Sequence, residues 1–94
     1  MEIKHTDNEA KGVFYIEKEG ERVAEMTYLH EKPNKIIIDH TEVSETLKGK
    51  GVGYKLIEAS VQYMRDNNLK VNPTCSFAKA IFDKKHEEYS DVLS

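Results

Sequence analysis

The hydrophobic period of the sequence changes at a glycine-rich segment, and this change limits the folds that the chain can adopt. Before Gly49 the apolar residues form short runs typical of strands, and after Gly53 they recur at the spacing of an amphipathic helix. Glycine has no side chain, so a bulky anion can approach the backbone N–H groups of this segment where the helix starts. The pattern therefore favours a phosphate-bearing ligand at a strand-to-helix turn.

The first half of the chain is predicted to form an antiparallel meander. Residues 13–16, 23–29 and 36–38 are apolar or alternating runs, and polar segments that contain glycine, proline or asparagine separate them. Short connections of this kind favour antiparallel pairing. The continuous isoleucine triplet at 36–38 is typical of a strand that is covered on both faces.

The second half is predicted to form a helix, a short strand and a second helix. Apolar residues fall at helical spacing between residues 51 and 67, where asparagine can provide a left-handed cap. A strand at residues 69–71 follows and is limited by Pro73; a right-handed crossover sets it parallel to the 36–38 strand. The second helix is predicted to start between residues 74 and 76. Its predicted buried residues are Phe77, Ala78, Ile81 and Phe82.

The length of 94 residues indicates a single domain over residues 1–94, and the order of the predicted elements indicates an α+β fold with one mixed, mostly antiparallel sheet. The net charge of −3 argues against binding to nucleic acid or to an anionic membrane, which needs a basic excess. No apolar stretch is long enough to span a bilayer, and the N-terminus lacks the apolar core of a signal peptide. A single cysteine cannot form an internal disulfide. We therefore expect a cytoplasmic monomer without a nucleic-acid or membrane partner.

Three lysines support the interpretation of the glycine segment as an anion site. Lys48, Lys50 and Lys55 lie between Thr46 and Ile57 without any carboxylate, which gives a local charge of +3 in a chain of net charge −3. The glycine spacing fits neither a P-loop nor a Rossmann motif. A lysine-rich turn that only links a strand to a helix is the alternative, because glycine-rich patterns have low specificity.

Several segments together resemble the GNAT acetyltransferase superfamily. The sequences DHTEV at residues 39–43 and LKGKGVG at residues 47–53, with the apolar pair at 56–57, are similar to motif A of that superfamily, which is a strand, a glycine turn and a long helix. PTCSF at residues 73–77 and HEEY at residues 86–89 are similar to the later part of a branch of very small GNAT-like proteins. The resemblance covers nearly the whole chain.

The resemblance implies a minimal GNAT-like fold of about five strands, with a long motif-A helix and a C-terminal helix, which binds acetyl-CoA between two diverging strands. It implies that the pantetheine arm bonds to the backbone of residues 38–43 and that the pyrophosphate lies on the turn at residues 48–53. The cofactor-binding residues implied in this way are Thr41, Glu42, Val43, Lys48, Gly49, Lys50, Gly51, Val52, Gly53 and Tyr54.

One position departs from the family pattern. The first position of the glycine turn is usually arginine or glutamine, whereas here it is Lys48. Lysine keeps the charge but lacks the planar fork that makes a bidentate phosphate contact. The chain is also too short for the helices and strands that wall the acceptor side of larger relatives, so we expect an open acceptor site.

Cys75 and His40 are the predicted catalytic residues. Cys75 lies just before the last helix, where helix N–H dipoles favour a thiolate, and small relatives place such a cysteine near the thioester. A small buried hydrophobic residue is the alternative interpretation of a lone cysteine. His40 is a candidate general base, with Glu42 either as the base itself or as the group that orients the histidine.

Strict alternation along the motif strand predicts which side chains lie together. His40 is expected to share a face with Ile38 and Glu42, while Asp39 and Thr41 face the other way. The other histidines are scattered without metal-ligand spacing, and a lone cysteine makes no thiolate site, so no metal site is predicted.

Two functions follow from these observations. The chain transfers an acetyl group from acetyl-CoA to an amine of a small molecule or protein, or it binds acetyl-CoA or CoA without efficient turnover, as a module or sensor. The open acceptor side and Lys48 favour the second function more than they would in a larger relative. The sequence leaves both functions open and the acceptor unidentified.

Overall fold

Five strands form one sheet, and two helices pack on one of its faces in the computed structural model, which describes residues 2–94. The elements in chain order are β1 (Lys4–Asp7), β2 (Lys11–Lys18), β3 (Glu21–Glu31), β4 (Lys35–Val43), α1 (Val52–Asp66), β5 (Lys70–Pro73) and α2 (Ser76–Lys84). The strands follow one another in the sheet in chain order, with antiparallel pairing from β1 to β4 and parallel pairing of β4 with β5. The predicted α+β class with a mixed sheet is confirmed. The apolar pattern did not indicate β1, because its four residues, Lys4–Asp7, are all polar.

The core lies on one face of the sheet because the large apolar side chains of neighbouring strands point to it together. Tyr28 of β3 and Ile38 of β4 are cross-strand partners, and both are fully buried. Ile36 pairs with Val71, which extends the same apolar layer onto β5. The buried helix residues that cover this layer are Val52, Leu56, Ile57, Val61, Met64, Ala78, Ile81 and Phe82.

The opposite face of the sheet, called here the uncovered face, has neither helix packed on it. Ile37, the middle residue of the isoleucine triplet, is only partly buried, and its cross-strand partner Leu29 is 41% exposed. The prediction that residues 36–38 are covered on both faces is therefore wrong. The reason is that both helices join the same core cluster on the other face, which leaves this one to polar and half-buried side chains.

Helix α1 begins and ends where glycine and asparagine permit a left-handed backbone. Gly51 is its N-cap with a φ of 72°, and Asn68, just beyond the C-cap, has a φ of 54°. The predicted helix at 51–67 therefore agrees with the observed one within a residue at each end. Neither α1 nor any other helix within residues 2–94 is long and apolar enough to cross a membrane.

Helix α2 differs from the prediction at its cap and at one side chain. Cys75 is the N-cap, rather than the threonine or serine beside it, and its Sγ accepts a hydrogen bond from the backbone N–H of Ala78 at 3.4 Å. The predicted burial of Phe77 is wrong, since this side chain is 41% exposed. Its ring lies against Gly53 at the start of α1, so it packs across the two helices instead of entering the core.

Candidate functional site

A groove of about 1050 Å³ lies where β3 begins, β4 ends and α1 begins. It is lined by residues 22–25, 41–45, 47–49 and 51–54 and by Phe77. The volume is that of a small-molecule or cofactor site. The predicted cofactor-binding residues all line this groove, with the exception of Lys50.

The glycine turn opens the N-terminus of α1 toward the groove. A short 3-10 helix, Glu45–Leu47, follows β4, and Gly49 and Gly51 then adopt left-handed φ values of 81° and 72°. In the described part of the chain no side chain caps α1, and its first turn has no acidic residue. The first N–H groups of a helix have no partner within the helix, so these groups and the positive end of the helix dipole are available to an anion.

Gly53 has a different role from the two glycines before it. It is buried, and a Cβ added to it would collide with the ring of Phe77. A Cβ on Gly49 or Gly51 would meet nothing within 4 Å, but it would strain the left-handed backbone there. Gly49 and Gly51 therefore shape the turn, and the absence of a side chain at Gly53 also lets α2 approach α1.

Positive charge lies at the turn of the groove, but less than the sequence indicates. Of the three lysines, only Lys48 is among the lining residues, and Lys50 and Lys55 are exposed outside it. The Nζ of Lys48 lies 2.9 Å from Oε1 of Glu45, which also lines the groove. The predicted local charge of +3 is reduced here because the lysine that faces the groove already has a carboxylate partner.

Strands β4 and β5 diverge halfway along β4. Their parallel pairing ends at Ile38 and Pro73, after which the backbone N–H groups of Thr74 and Cys75 both donate to the carbonyl of Ile38, at 3.0 and 3.1 Å. Within the described residues, the rest of β4 pairs only with β3. One backbone edge of residues 39–43 is therefore free to bond to an extended ligand.

A β-bulge at the point of divergence reverses the alternation of β4. Tyr28 pairs with Ile38, while the preceding residue, Thr27, pairs with His40, so Asp39 is the extra residue. The Oγ1 of Thr27 donates a hydrogen bond to Oδ1 of Asp39 at 2.7 Å, which places that carboxylate on the uncovered face. Two consecutive residues of β4 therefore point to the same side of the sheet.

The bulge places Thr41, and not His40, beside Cys75. Thr41 lies on the core face with Ile38, and its Oγ1 is 3.4 Å from the Sγ of Cys75. The predicted sharing of a face by His40 and Glu42 is correct, but both lie on the uncovered face. The prediction placed His40 and Glu42 on the same face as Ile38 and Thr41 on the opposite face. This is wrong, because strict alternation does not hold across the extra residue.

Comparison with known proteins identifies the family of the chain. The sequence profile of the GCN5-related N-acetyl-transferase family matches residues 13–92. The chain belongs to this family. A GCN5-like candidate N-acetyltransferase from Staphylococcus aureus is 45% identical to it, with a TM-score of 0.77, covering 99% of this chain and 87% of the other. No functionally curated protein matches the sequence at a significant level.

Two more distant structures share the fold with this GCN5-related chain. A glucosamine-6-phosphate N-acetyltransferase from Arabidopsis thaliana is 22% identical, with a TM-score of 0.66, covering 87% of this chain and 60% of that one. A predicted acetyltransferase from Clostridium acetobutylicum, solved with acetyl-CoA, is 14% identical, with a TM-score of 0.65, covering 79% of this chain and 55% of that one. The chain thus spans little more than half the length of these two proteins. The predicted GNAT-like fold is confirmed.

The two predicted catalytic residues of this GNAT chain do not belong to the groove lining in residues 2–94. Cys75 is partly buried and is connected to the groove through Thr41, which lines it. The side chain of His40 is 53% exposed on the uncovered face. The two residues are therefore separated by the thickness of the sheet, and their catalytic roles stay predictions.

Some lining residues and one cluster were not found from the sequence. Phe77 and Glu45 line the groove from elements on either side of the glycine turn. On the uncovered face, the Nε2 of His40 lies 3.8 Å from Oε1 of Glu42 and 4.0 Å from Oε2 of Glu25. Only the register of β3 on β4 could have indicated this cluster, because its members come from two strands.

Proposed function

We propose that the chain binds acetyl-CoA in the groove and transfers its acetyl group to an amine. The observation that carries the proposal is the meeting of an open helix N-terminus with the free edge of residues 41–43 in one groove. Membership of the GCN5-related N-acetyltransferase family and the fold shared with an acetyltransferase solved with acetyl-CoA support this donor. The acceptor is a small amine or a protein amino group. We place this activity in a cytoplasmic monomer.

The pyrophosphate of the cofactor is proposed to lie on the glycine turn. Its oxygens would accept hydrogen bonds from backbone N–H groups between Gly51 and Tyr54, where α1 has no capping side chain. Lys48 would exchange its ion pair with Glu45 for a phosphate oxygen. This exchange supports binding at moderate affinity, because the lysine has to give up one anionic partner to gain another.

The pantetheine arm is proposed to run along the free edge of β4. This arm is extended and carries two amide groups, so it can bond to a strand edge as another strand would. Thr41, Glu42 and Val43 belong to the stretch whose second edge faces away from β3, and all three line the groove. The arm would thus enter the gap that opens beyond Ile38, and the thioester would approach Thr41.

Cys75 is proposed as the first acetyl acceptor. Its sulfur would attack the carbonyl carbon of the thioester, forming an S-acetyl bond while the bond between that carbon and the CoA sulfur breaks. CoA leaves as a thiol after taking up the proton that Cys75 loses. An amine nitrogen then attacks the acetyl carbon, the bond from that carbon to the Cys75 sulfur breaks, and the proton that the amine loses returns to this sulfur. The contacts of the Cys75 sulfur with Thr41 and with the N–H of Ala78, each at 3.4 Å, support an oriented thiol. His40 is not the partner of Cys75 in this scheme, because it lies on the opposite face of the sheet.

A second function is binding of acetyl-CoA or CoA without efficient turnover. The position of the candidate base His40 on the uncovered face favours it, because this residue lies across the sheet from Cys75. The ion pair between Lys48 and Glu45 also favours an equilibrium sensor over a site that holds the donor tightly.

Cofactor binding is tested by replacing a glycine of the turn. Gly51→Val should weaken acetyl-CoA binding by about 2 kcal/mol or more, because the new side chain crowds the approach of the phosphates and strains the backbone. Gly20→Val is the matched control: Gly20 also has a left-handed φ, of 82°, and open space around it, but it lies in the β2–β3 turn. Calorimetry measures the acetyl-CoA affinity of both variants after each has been shown to fold. Equal affinities for the two variants would refute binding at the glycine turn.

Turnover is tested by mass spectrometry of the intact protein after exposure to acetyl-CoA. One acetyl adduct, absent in Cys75→Ala, would support the covalent route, and the alanine variant should keep its acetyl-CoA affinity because backbone groups and Lys48 hold the cofactor. Release of CoA by Cys75→Ala with an added amine would support direct transfer instead. Binding without an adduct and without amine-dependent CoA release would leave the sensor function.

A further inference from the structure

We propose that Glu25, His40 and Glu42 form a binding site for a divalent transition-metal ion of the zinc class on the uncovered face of the sheet. One potential ligand atom from each of the three residues lies within 4.8 Å of the other two. The site borders the donor groove, because Glu25 and Glu42 also line it, but its imidazole lies outside the groove and metal binding needs no acetyl-CoA. The inference therefore goes beyond acetyl transfer and holds whether or not the chain turns over acetyl-CoA.

The register of β3 on β4 brings two carboxylates together. Glu25 is the direct cross-strand partner of Glu42, so both side chains point to the uncovered face. Like charges in this position destabilise an antiparallel pair unless a cation lies with them. Arg22 supplies part of that charge, with its Nη1 3.3 Å from Oε1 of Glu25. The other oxygen of Glu25, Oε2, is turned toward His40.

The bulge in β4 adds the imidazole to this pair. With strict alternation His40 would point to the core with Ile38, and the extra residue Asp39 turns it to the carboxylates instead. The distances of 3.8 and 4.0 Å from Nε2 of His40 to the two carboxylates are too long for hydrogen bonds. Ligands at about 2.1 Å from a tetrahedral ion lie about 3.4 Å apart. A small rotation of the two glutamates therefore brings the three ligand atoms to the separation that an ion requires.

The ligand set selects the class of ion. One imidazole nitrogen with two carboxylate oxygens suits Zn²⁺ and its neighbours in the first transition row, whereas Mg²⁺ and Ca²⁺ prefer oxygen alone. The side chain of Glu25 is 26% exposed and is oriented by Arg22, so it provides the fixed ligand. His40 and Glu42 are 53% and 73% exposed, which leaves the remaining coordination positions to water.

The test uses the full chain in a Cys75→Ser background, so that the thiol does not act as a competing metal ligand. Zn²⁺ titration by calorimetry should give one ion per chain, and Co²⁺ should give visible absorption bands that Zn²⁺ removes. His40→Ala and Glu42→Gln should each weaken Zn²⁺ binding by about tenfold or more, the loss typical when a metal site is damaged. Both side chains are largely exposed, so the variants should keep the fold, which amide NMR spectra would check.

His86→Ala is the matched control. His86 is also an exposed histidine beside two glutamates, Glu87 and Glu88, but it is not part of the cluster. Its loss should change Zn²⁺ affinity by less than about twofold. The proposal is overturned if Zn²⁺ does not bind at about 1 mM, if His40→Ala binds as the parent does, or if Mg²⁺ displaces Zn²⁺ at equal concentration. Failure of acetyl transfer would leave these results unchanged, so the two proposals fail separately.

Discussion

At the scale of single residues, Phe77 of α2 lies over Gly53 of α1, and the absence of a side chain at residue 53 sets how closely the two helices meet. A Cβ on Gly53 would overlap the Phe77 ring, and Gly53 itself is buried. Gly53 has an ordinary helical backbone, unlike Gly49 and Gly51, so alanine causes no strain in its φ angle. The cost of a substitution here therefore comes from packing.

We predict that Gly53→Ala lowers the free energy of unfolding by about 1–3 kcal/mol, the usual cost of overpacking. Phe77→Ala should cost less than removal of a buried phenylalanine, because this side chain is 41% exposed. In the Phe77→Ala background, Gly53→Ala should lower the free energy of unfolding by much less, because the ring that the new Cβ would overlap is absent. Urea unfolding of the two single variants and the double variant measures this coupling. If the losses in the free energy of unfolding were additive, the Phe77 ring would not limit the size of the side chain at residue 53.

At the scale of elements, the carboxylate of Asp7 holds β1 to β3 and α1. Its Oδ2 accepts hydrogen bonds from the hydroxyls of Tyr28 at 2.5 Å and Tyr63 at 3.2 Å, and it lies 2.6 Å from Nε2 of His30. Partial burial alone would raise the pKa of Asp7. Hydrogen bonds from Tyr28, from the backbone N–H of Glu9 and from His30 outweigh it and hold the pKa well below its ordinary value.

We predict that Asp7→Asn costs about 2 kcal/mol of stability at pH 7, as expected for lost hydrogen bonds to a charged group. Because the folded-state pKa is lowered, this stabilisation is present above the unfolded value near pH 4 and is lost as the pH falls toward the folded value. The difference between parent and variant should therefore narrow below about pH 4. Asp83→Asn, in an exposed pair with Lys79 at 3.5 Å, is the control and should change little. A gap that stays constant from pH 7 to pH 3 contradicts the prediction.

His5 also makes the stability fall with decreasing pH, and its effect begins at a higher pH than that of Asp7. Its ring stacks on Phe14 with centroids 4.0 Å apart, and burial lowers its pKa even though the nearby Asp7 opposes the shift. The unfolded chain therefore takes up a proton on His5 before the folded chain does, as the pH falls below about 6.5. We expect the stability of the parent to begin to fall there. His5→Gln should remove the loss of stability that begins at about pH 6.5. If the stability of this variant depended on pH as that of the parent does, a group other than His5 would cause the loss.

The elements differ in how far the sequence could predict them, and the difference has a physical cause. Helix α1 was predicted within a residue because its period and its glycine and asparagine caps are local signals. The bulge at Asp39 was not predictable, because an extra residue leaves no mark in the alternation of one strand and is fixed only by pairing with β3. The faces of His40 and Thr41, and the cluster of His40 with Glu25, depend on that pairing. The glycine turn was found from local sequence, and the contact of Thr41 with Cys75 was not.

At the scale of the whole molecule, the charge of the chain opposes the ligand that the groove is proposed to bind. The net charge is −3, and the groove itself is lined by Glu25, Glu42 and Glu45 as well as by Lys48 and Arg22. Acetyl-CoA is an anion, so it has to approach a negative protein through the small positive region at the glycine turn. Salt screens such exposed charges within about 10 Å at 0.1 M. The charges beside the turn should therefore set both the affinity and its dependence on salt.

Glu45 offers the sharpest test of this balance, because its carboxylate lies 2.9 Å from the Nζ of Lys48 and competes with a phosphate for that lysine. We predict that Glu45→Gln lowers the Kd for acetyl-CoA about two- to fivefold, in keeping with the small energies of exposed ion pairs. Lys48→Gln should raise the Kd and flatten its salt dependence. Glu58→Gln removes the same charge from an exposed position on α1 outside the groove, so it separates the local effect from the net charge. Calorimetry at low and high salt should show tighter acetyl-CoA binding by Glu45→Gln but not by Glu58→Gln. An equal increase of affinity in Glu58→Gln would mean that the net charge controls binding. No increase in either variant would exclude competition between Glu45 and the phosphate for Lys48.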